Sequence, residues 1–410
     1  MLKMLKQLPV QLGISILLAF ILGQELDLHY IAVSYSLSSC FIEMLMFLLP
    51  LIVFSLILRA VVNIKTGSFS LLLLIFAGVT ISNCLALTVA YFFGKITLPL
   101  IGAVHSPDFA VKFHSSVPVL FKLHLSQLVG TEKAMMVGIF CGIILSFLND
   151  DNKYKNFVRQ SSVWLSDQIS FVLSKIFIPF LPIYVFGFCV KLSYDDALLH
   201  LFHQYGKIFL FSMLLVVIYI FMLYFVAAKG RLGNASTYLK NMSSAGLTGF
   251  STMSSAATMP VTLKCTEVTT KNKNFADLII PATANIHMLG DDLTIVIAAM
   301  TLLSIFGLSC PDFVEFMPFA LSFSIAKLSC VGIPGASVLV ILPVLQNYLG
   351  FTPEMISILT TIYILQDPFG TAANVMGNGA FALIIQRIFK KARPSIFVNE
   401  GSFEKLHQNP

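Results

Sequence analysis

SSAATMPVTLKCTEVTTKNKNFADLIIPATANIHMLGDD, residues 254–292, joins a serine-rich tip (SSAATMP) to an apolar segment broken by NIHMLGDD, residues 285–292. Ionisable groups and helix breakers are costly in lipid, and they survive where the backbone lines a polar cavity enclosed by protein. The stretch therefore reads as a candidate site inside a membrane-embedded chain, and its pattern of tip and break organises what surrounds it.

The whole composition agrees with that setting. Of 410 residues, 57% are apolar and only 11% charged, and the mean hydropathy is +0.86. There is too little charge to coat a water-soluble globule, so the chain reads as an integral membrane protein. The net charge of +6 sits in short loops between apolar runs and forms no basic stripe, which excludes a nucleic-acid surface and leaves a topology signal. Cys40, Cys84, Cys141, Cys189, Cys265, Cys310 and Cys330 lie scattered in apolar segments without CxxC or Cys/His spacing. They read as packing residues and not as a disulfide framework or zinc site. The start, MLKMLKQLPVQLGISILLAFILGQ, has the charge pattern of a signal peptide but no small-x-small cleavage site, so it reads as a retained first helix. No nucleophile–base pair, metal cluster or phosphate loop points to an enzyme.

Apolar runs of about 20 residues, enough to cross roughly 30 Å of hydrocarbon, recur throughout. The first three are 10–22, 41–62 and 68–93. Lys3, Lys6, Arg59 and Lys65 put the N-terminus and the second loop on the cytoplasmic side, with Glu25, Asp27 and His29 outside. Residues 94–131 read as an external loop, 132–147 as a fourth span and 149–159 as a charged cytoplasmic connection. An amphipathic-then-apolar region reaching Val190 makes the fifth span, and 206–228 the sixth, ending inside at Lys229 and Arg231.

From there the character changes. Residues 237–268, rich in small and hydroxyl side chains and interrupted by Gly246, Gly249 and Pro260, read as a re-entrant helical hairpin. Residues 275–306 are long enough to cross but are broken by His287, Gly290, Asp291 and Asp292. Residues 318–349 repeat the hairpin with a tip GIPGAS (332–337), and 353–388 repeat the interrupted crossing with QDPFGTAANVMGNG (366–379) at its centre. Hairpin plus broken helix occurring twice is the sequence pattern of a transporter with its site near the bilayer midplane. Arg387, Lys390, Lys391 and Arg393 put the C-terminus inside, followed by a loose polar tail.

Four motifs in this order carry a resemblance: SSAATMPVT; PATANIHMLGD, similar to an N-M-D-G-T helix break; GIPGA; and DPFGTAANVMGNG, similar to D-x-x-R-T-x-x-N-V-x-G-D. The chain resembles the dicarboxylate/amino acid:cation symporter family, which includes the glutamate transporters and neutral amino acid exchangers. The resemblance implies an all-α polytopic membrane protein of about eight transmembrane helices plus two re-entrant hairpins, arranged as glutamate-transporter-like inverted repeats in a homotrimer. Residues 1–231 would be the scaffold and trimerisation helices, with parts of the third and sixth open to the mobile unit. Residues 232–393 would be the transport core, its second hairpin the gate, and 394–410 a cytoplasmic tail.

Ser254 and Ser255 offer hydroxyls and a helix N-terminus to a substrate carboxylate, or else simply let helices approach closely. Asp367, Thr371 and Asn374 share one helical face; Asp367 suits a substrate ammonium and, being buried, needs a partner. The resemblance adds Met288, Asp291, Ile333 and Gly335 to the substrate set, and assigns cation binding or coupling to Thr283, Asn285, His287, Lys327, Asn374 and Asn378. Departures from the family matter as much. Its arginine positions hold Gly370 and Met253, so an acidic side chain has lost its bidentate partner. Its two sodium-binding carboxylates fall on Leu289 and Asn378. Lys327, about where a family residue lends a carbonyl to sodium, either snorkels outward or acts as a tethered cation paired with Asp291 or Asp367. His287 carries a coupled proton or is held structurally across helices.

The expected function is symport of a small, neutral amino acid by alternating access, coupled to Na+ or H+, with no cofactor and no nucleic-acid partner, in the plasma (inner) membrane. A C4-dicarboxylate or acidic amino acid is the runner-up, and an uncoupled channel or membrane sensor the contrasting class.

Overall fold

The computed structural model describes residues 8–62, 69–101, 117–125, 129–146, 152–194, 197–330 and 335–392. Lys3, Lys6, Lys65, Gly332, Ile333, Arg393 and the 394–410 tail lie outside the described residues. Those described form fourteen α-helices and no β-strand.

Among the described residues, three helices are long and apolar enough to cross a bilayer by length and composition, through Leu28–Ser55, Leu74–Ile101 and Tyr205–Ala227. They lie in α2 (Leu28–Val62), α3 (Phe69–Ile101) and α7 (Ala197–Ala227). Their outer faces leave large apolar side chains uncovered, Ile96 at 70% and Val217 at 67% exposure. Water penalises such a surface and hydrocarbon does not.

α1 (Leu8–Leu22), α2, α4 (Thr131–Ser146), α5 (Lys153–Val172) and α6 (Ile178–Tyr194) pack chiefly on one another, with a single π-helical turn, Leu173–Phe177, joining α5 to α6. Two expected boundaries shift here. Helix α3 continues through Gly94 to Ile101, where an external loop was expected, because Pro99 falls in its last turn and breaks nothing upstream. The expected connection at 149–159 is already helical from Lys153, where the Asn152 side chain accepts from Tyr154 N at 2.9 Å as a cap. The second helix also begins well before residue 41, at Leu28.

The second half is built around one buried helix. α8 (Leu232–Thr252) ends where Met253 turns left-handed (φ 53°), and Ser254 opens α9 (Ser255–Thr270), its hydroxyl accepting from Ala257 N at 3.2 Å. The two lie side by side. α10 (Lys273–Thr283), capped by Asn272, runs into a break before α11 (Leu289–Ile305). The break therefore falls earlier than expected: Asp291 and Asp292 sit in the first turn of α11, where the helix dipole favours their charge. Every residue from Leu289 to Leu303 is buried, beneath α3, α7 and the last helix.

α12 (Phe313–Lys327) begins with an Asp312/Glu315 capping box and carries Pro318 inside, and α13 (Ala336–Leu349) follows Gly335 at φ 75°. The last helix, α14 (Pro353–Ala392), runs unbroken for 40 residues, so the expected second helix break is absent. Pro368 removes one ladder hydrogen bond. The polar run around it lies along one face and bonds to neighbouring elements, so it marks a contact surface and not an interruption.

α11 meets α14 glycine to glycine. A Cβ on Gly290 would lie 2.3 Å from Gly370 O and 2.8 Å from Ala373 Cβ. Gly290→Ala is accordingly expected to destabilise the protein by about 1–3 kcal/mol or more, since the opposing atom is backbone that cannot give way; thermal unfolding of the purified variant in detergent checks this, against Gly233→Ala, where the space is open.

Candidate functional site

The break before α11 leaves that helix without a side-chain cap of its own: Met288 occupies the cap position and offers none. Asn374 of α14 supplies it from outside, its Oδ1 accepting from Gly290 N at 2.8 Å and Asp291 N at 3.4 Å. The same amide then donates to Asp291 Oδ1 at 2.9 Å. One side chain thereby seats the start of α11 on the last helix and orients the first carboxylate.

Asp291 Oδ2 accepts from Lys327 Nζ and from Tyr363 OH, each at 3.3 Å. Lys327, fully buried at the end of α12, also donates to Ser337 Oγ at 2.6 Å, lies 3.5 Å from Asp292 Oδ1 and stands 5.2 Å over the Phe323 ring. Ser337 in turn donates to Met288 Sδ at 3.5 Å. On α14, Asp367 accepts from Thr371 Oγ1 (3.0 Å), Tyr363 OH (3.4 Å) and Gly335 N (3.1 Å). Tyr363 has one hydroxyl hydrogen for two carboxylates, so it serves one at a time. The Gly335 bond fastens the start of α13 to the last helix.

Beside this group lies a second polar cluster. His287 Nε2 is 2.9 Å from Ser82 Oγ of α3, and its ring packs 4.4 Å from that of Phe381. Asn83 donates to Ile286 O at 2.9 Å, and Asn378 to Asn374 O at 3.0 Å and His287 O at 3.4 Å. Asn285 Oδ1, His287 Nδ1 and Asn378 Oδ1 are buried without a hydrogen-bond partner.

With this arrangement in view, a model of the sodium:dicarboxylate symporter family matches residues 8–388. The chain belongs to the sodium:dicarboxylate symporter family. It is thus an integral membrane symporter. Serine/threonine transporter SstT of Acinetobacter baumannii is 26% identical over 380 residues, covering 88% of this chain and 92% of that protein. Excitatory amino acid transporter 3 of Mus musculus is 27% identical over 171 residues, 42% of this chain and 32% of the mouse protein.

The structure brings Met288, Asp291, Lys327, Gly335, Asp367, Thr371 and Asn374 into one buried group, while Ile333 lies outside the described residues. Ser254 caps α9, and Ser255, buried beside it, makes no hydrogen bond to that group. Gly249, within a turn of this tip, does abut Thr371 O. Thr283 turns away, its hydroxyl donating to Ile279 O at 2.9 Å. Lys327 does not snorkel; it pairs with Asp291 and Asp292, and not with Asp367. Tyr363, Ser82 and Asn83 were not singled out from the sequence; Ser337 entered only as the last residue of the second tip, and Asp292 only as one of the residues that break the helix. Tyr363 stands four residues before Asp367 on the same face, and Ser82–Asn83 is a polar pair within an apolar span, signals that spacing and composition carried.

Removing the ammonium exposes its worth. Lys327→Met leaves two buried carboxylates facing each other and is expected to cost about 3–5 kcal/mol. Adding Asp291→Asn should return part of that loss in the double variant, read by thermal unfolding in detergent; equal stability of single variant and wild type would show that the pair is not charged.

Proposed function

We propose that this family member is a secondary symporter of a small neutral amino acid, working by alternating access with the α12–α13 hairpin as gate. The observation that carries the reading is the buried Asp291–Lys327–Asp367 group where α11, α12 and α14 converge, closed over by the start of α13 through Gly335 N to Asp367 Oδ2. A substrate ammonium competes directly with the Gly335 N–H for Asp367, so its binding and the position of the hairpin are linked. Asn374 and Thr371 flank that carboxylate, and the helix N-terminus at Ser255 supplies N–H groups suited to the substrate carboxylate.

Neutral cargo follows from what is missing. A side chain at 370 would start 2.9 Å from Asp291 Oδ1, and Met253, at the other arginine position, is apolar and buried. Lys327, the cation nearest the group, is already held by two carboxylates and Ser337. No cation among these remains for a second substrate carboxylate, which disfavours a dicarboxylate or acidic amino acid. The name of the serine/threonine transporter relative points the same way.

In this reading Lys327 is a tethered cation standing in for one travelling ion, and sodium, as co-substrate, takes oxygen ligands such as Asn285 Oδ1 and Asn378 Oδ1 beside the helix break. The α8–α9 and α12–α13 pairs enter the bilayer as re-entrant hairpins, residues 232–393 move against residues 1–231, and the protein is a trimer of the inner membrane with both termini cytoplasmic. A small apolar crevice of about 50 Å³ between α1, α6, α7 and α14, lined by Ile16, Phe188, Tyr205 and Ile362, supports such sliding, because apolar faces without hydrogen bonds separate at little enthalpic cost.

Reconstituted protein is expected to accumulate a small neutral amino acid above its outside concentration and to ignore glutamate and C4-dicarboxylates. Asp367→Asn should weaken apparent affinity at least about 30-fold. Downhill flux alone in proteoliposomes would make the protein a channel.

A further inference from the structure

Three carboxylates, Asp291, Asp292 and Asp367, share this interior with one ammonium, and the three are not equally served. Asp291 accepts from Lys327 and Asn374, and Asp367 from Thr371 and Gly335 N, with the one hydrogen of Tyr363 serving either in turn. Asp292 is fully buried, and neither of its oxygens receives a hydrogen bond; its ion-pair partner is Lys327 Nζ at 3.5 Å. A carboxylate whose one partner is an ammonium at 3.5 Å, shared with Asp291, is poorly compensated in such a place, and adding a proton lowers the cost of burying it.

The surroundings select a proton over a metal cation. Asp292 lies among helices whose ionisable groups are few: Asp291 on its own α11, Lys327 at the end of α12 with Cys330 just beyond it, Cys84 on α3 and Tyr219 on α7, both within reach of the Asp292 charge. α14 presents Tyr363 and Asp367, which face Asp291, and α13 presents the hydroxyl of Ser337, which holds Lys327. Sodium needs a shell of oxygens and would stand close to an ammonium. A proton needs neither room nor a shell.

We infer that Asp292 carries a co-transported proton, and that Lys327 reports its presence to the α12–α13 hairpin. This rests on the symporter reading above. The proton comes from water on one side, rides on an Asp292 oxygen while Lys327 pairs with Asp291, and leaves to water on the other. Lys327 Nζ is 3.3 Å from Asp291 and 3.5 Å from Asp292, so on deprotonation it shifts towards Asp292 without crossing open space. That shift pulls on Ser337 at the start of α13 and loosens Asp291, the neighbour of Asn374.

The test uses full-length protein in proteoliposomes with equal sodium on both sides, L-serine as first probe and an inside-alkaline pH gradient. Wild type is expected to accumulate L-serine under that gradient alone. In Asp292→Asn, gradient-driven accumulation should fall about tenfold further than L-serine exchange does. An unchanged ratio, or a wild type driven by sodium and indifferent to the pH gradient, overturns the inference and leaves the symporter reading standing. Should Asp292→Asn fail to fold, Asp292→Glu decides: a displaced pH profile of uptake supports the proton site, an unmoved one overturns it. No binding and no accumulation of any amino acid under either gradient would defeat the symporter reading, and this inference with it.

Discussion

Charge placed where water cannot reach it governs this molecule. Asp291, Asp292, Lys327 and Asp367 are each no more than 3% exposed, and in such an interior every unpaired charge costs several kcal/mol. The surrounding architecture can be read as the means of meeting that demand. α11 brings two of the carboxylates, α12 ends on the ammonium, α14 contributes the third carboxylate, and the start of α13 gives a backbone donor. α14 meets part of its own charge, through Tyr363 and Thr371 on Asp367, but the carboxylates of α11 and the ammonium of α12 depend on neighbouring helices, which fixes those helices against one another.

The interruption before α11 is what permits the assembly. An unbroken helix would bury its peptide groups in their own ladder and offer nothing at mid-depth. Ending α10 at Thr283 and restarting at Leu289 frees N–H groups that Asn374 accepts, and it points a positive helix end at the carboxylates. The glycine contact at Gly290 and Gly370 sets the spacing. Any side chain at 370, an arginine included, would begin against Asp291, so a bulky residue there and Asp291 exclude each other.

The arrangement is closed yet poised. Tyr363 divides one hydrogen between Asp291 and Asp367, Lys327 is divided between Asp291 and Asp292, and Gly335 holds Asp367 only through a backbone N–H. Under the proposed symporter reading, a ligand that supplies one more positive charge would re-partition these bonds, and so link binding to the position of α13.

Much was settled by the chain itself. Membrane placement follows from composition, the first tip and the break before α11 from glycine, proline and clustered polar residues in apolar runs, and the shared face of Asp367, Thr371 and Asn374 from spacing alone, because these depend on local chemistry and helical period. Pairings were another matter. That Lys327 faces Asp291 and Asp292 and not Asp367, that Asn374 caps a helix 84 residues away in the chain, and that α14 stays whole through its polar centre were decided only in three dimensions. A buried charge or amide takes whichever partner the packing of other helices brings within hydrogen-bond reach, and no sequence interval encodes that distance.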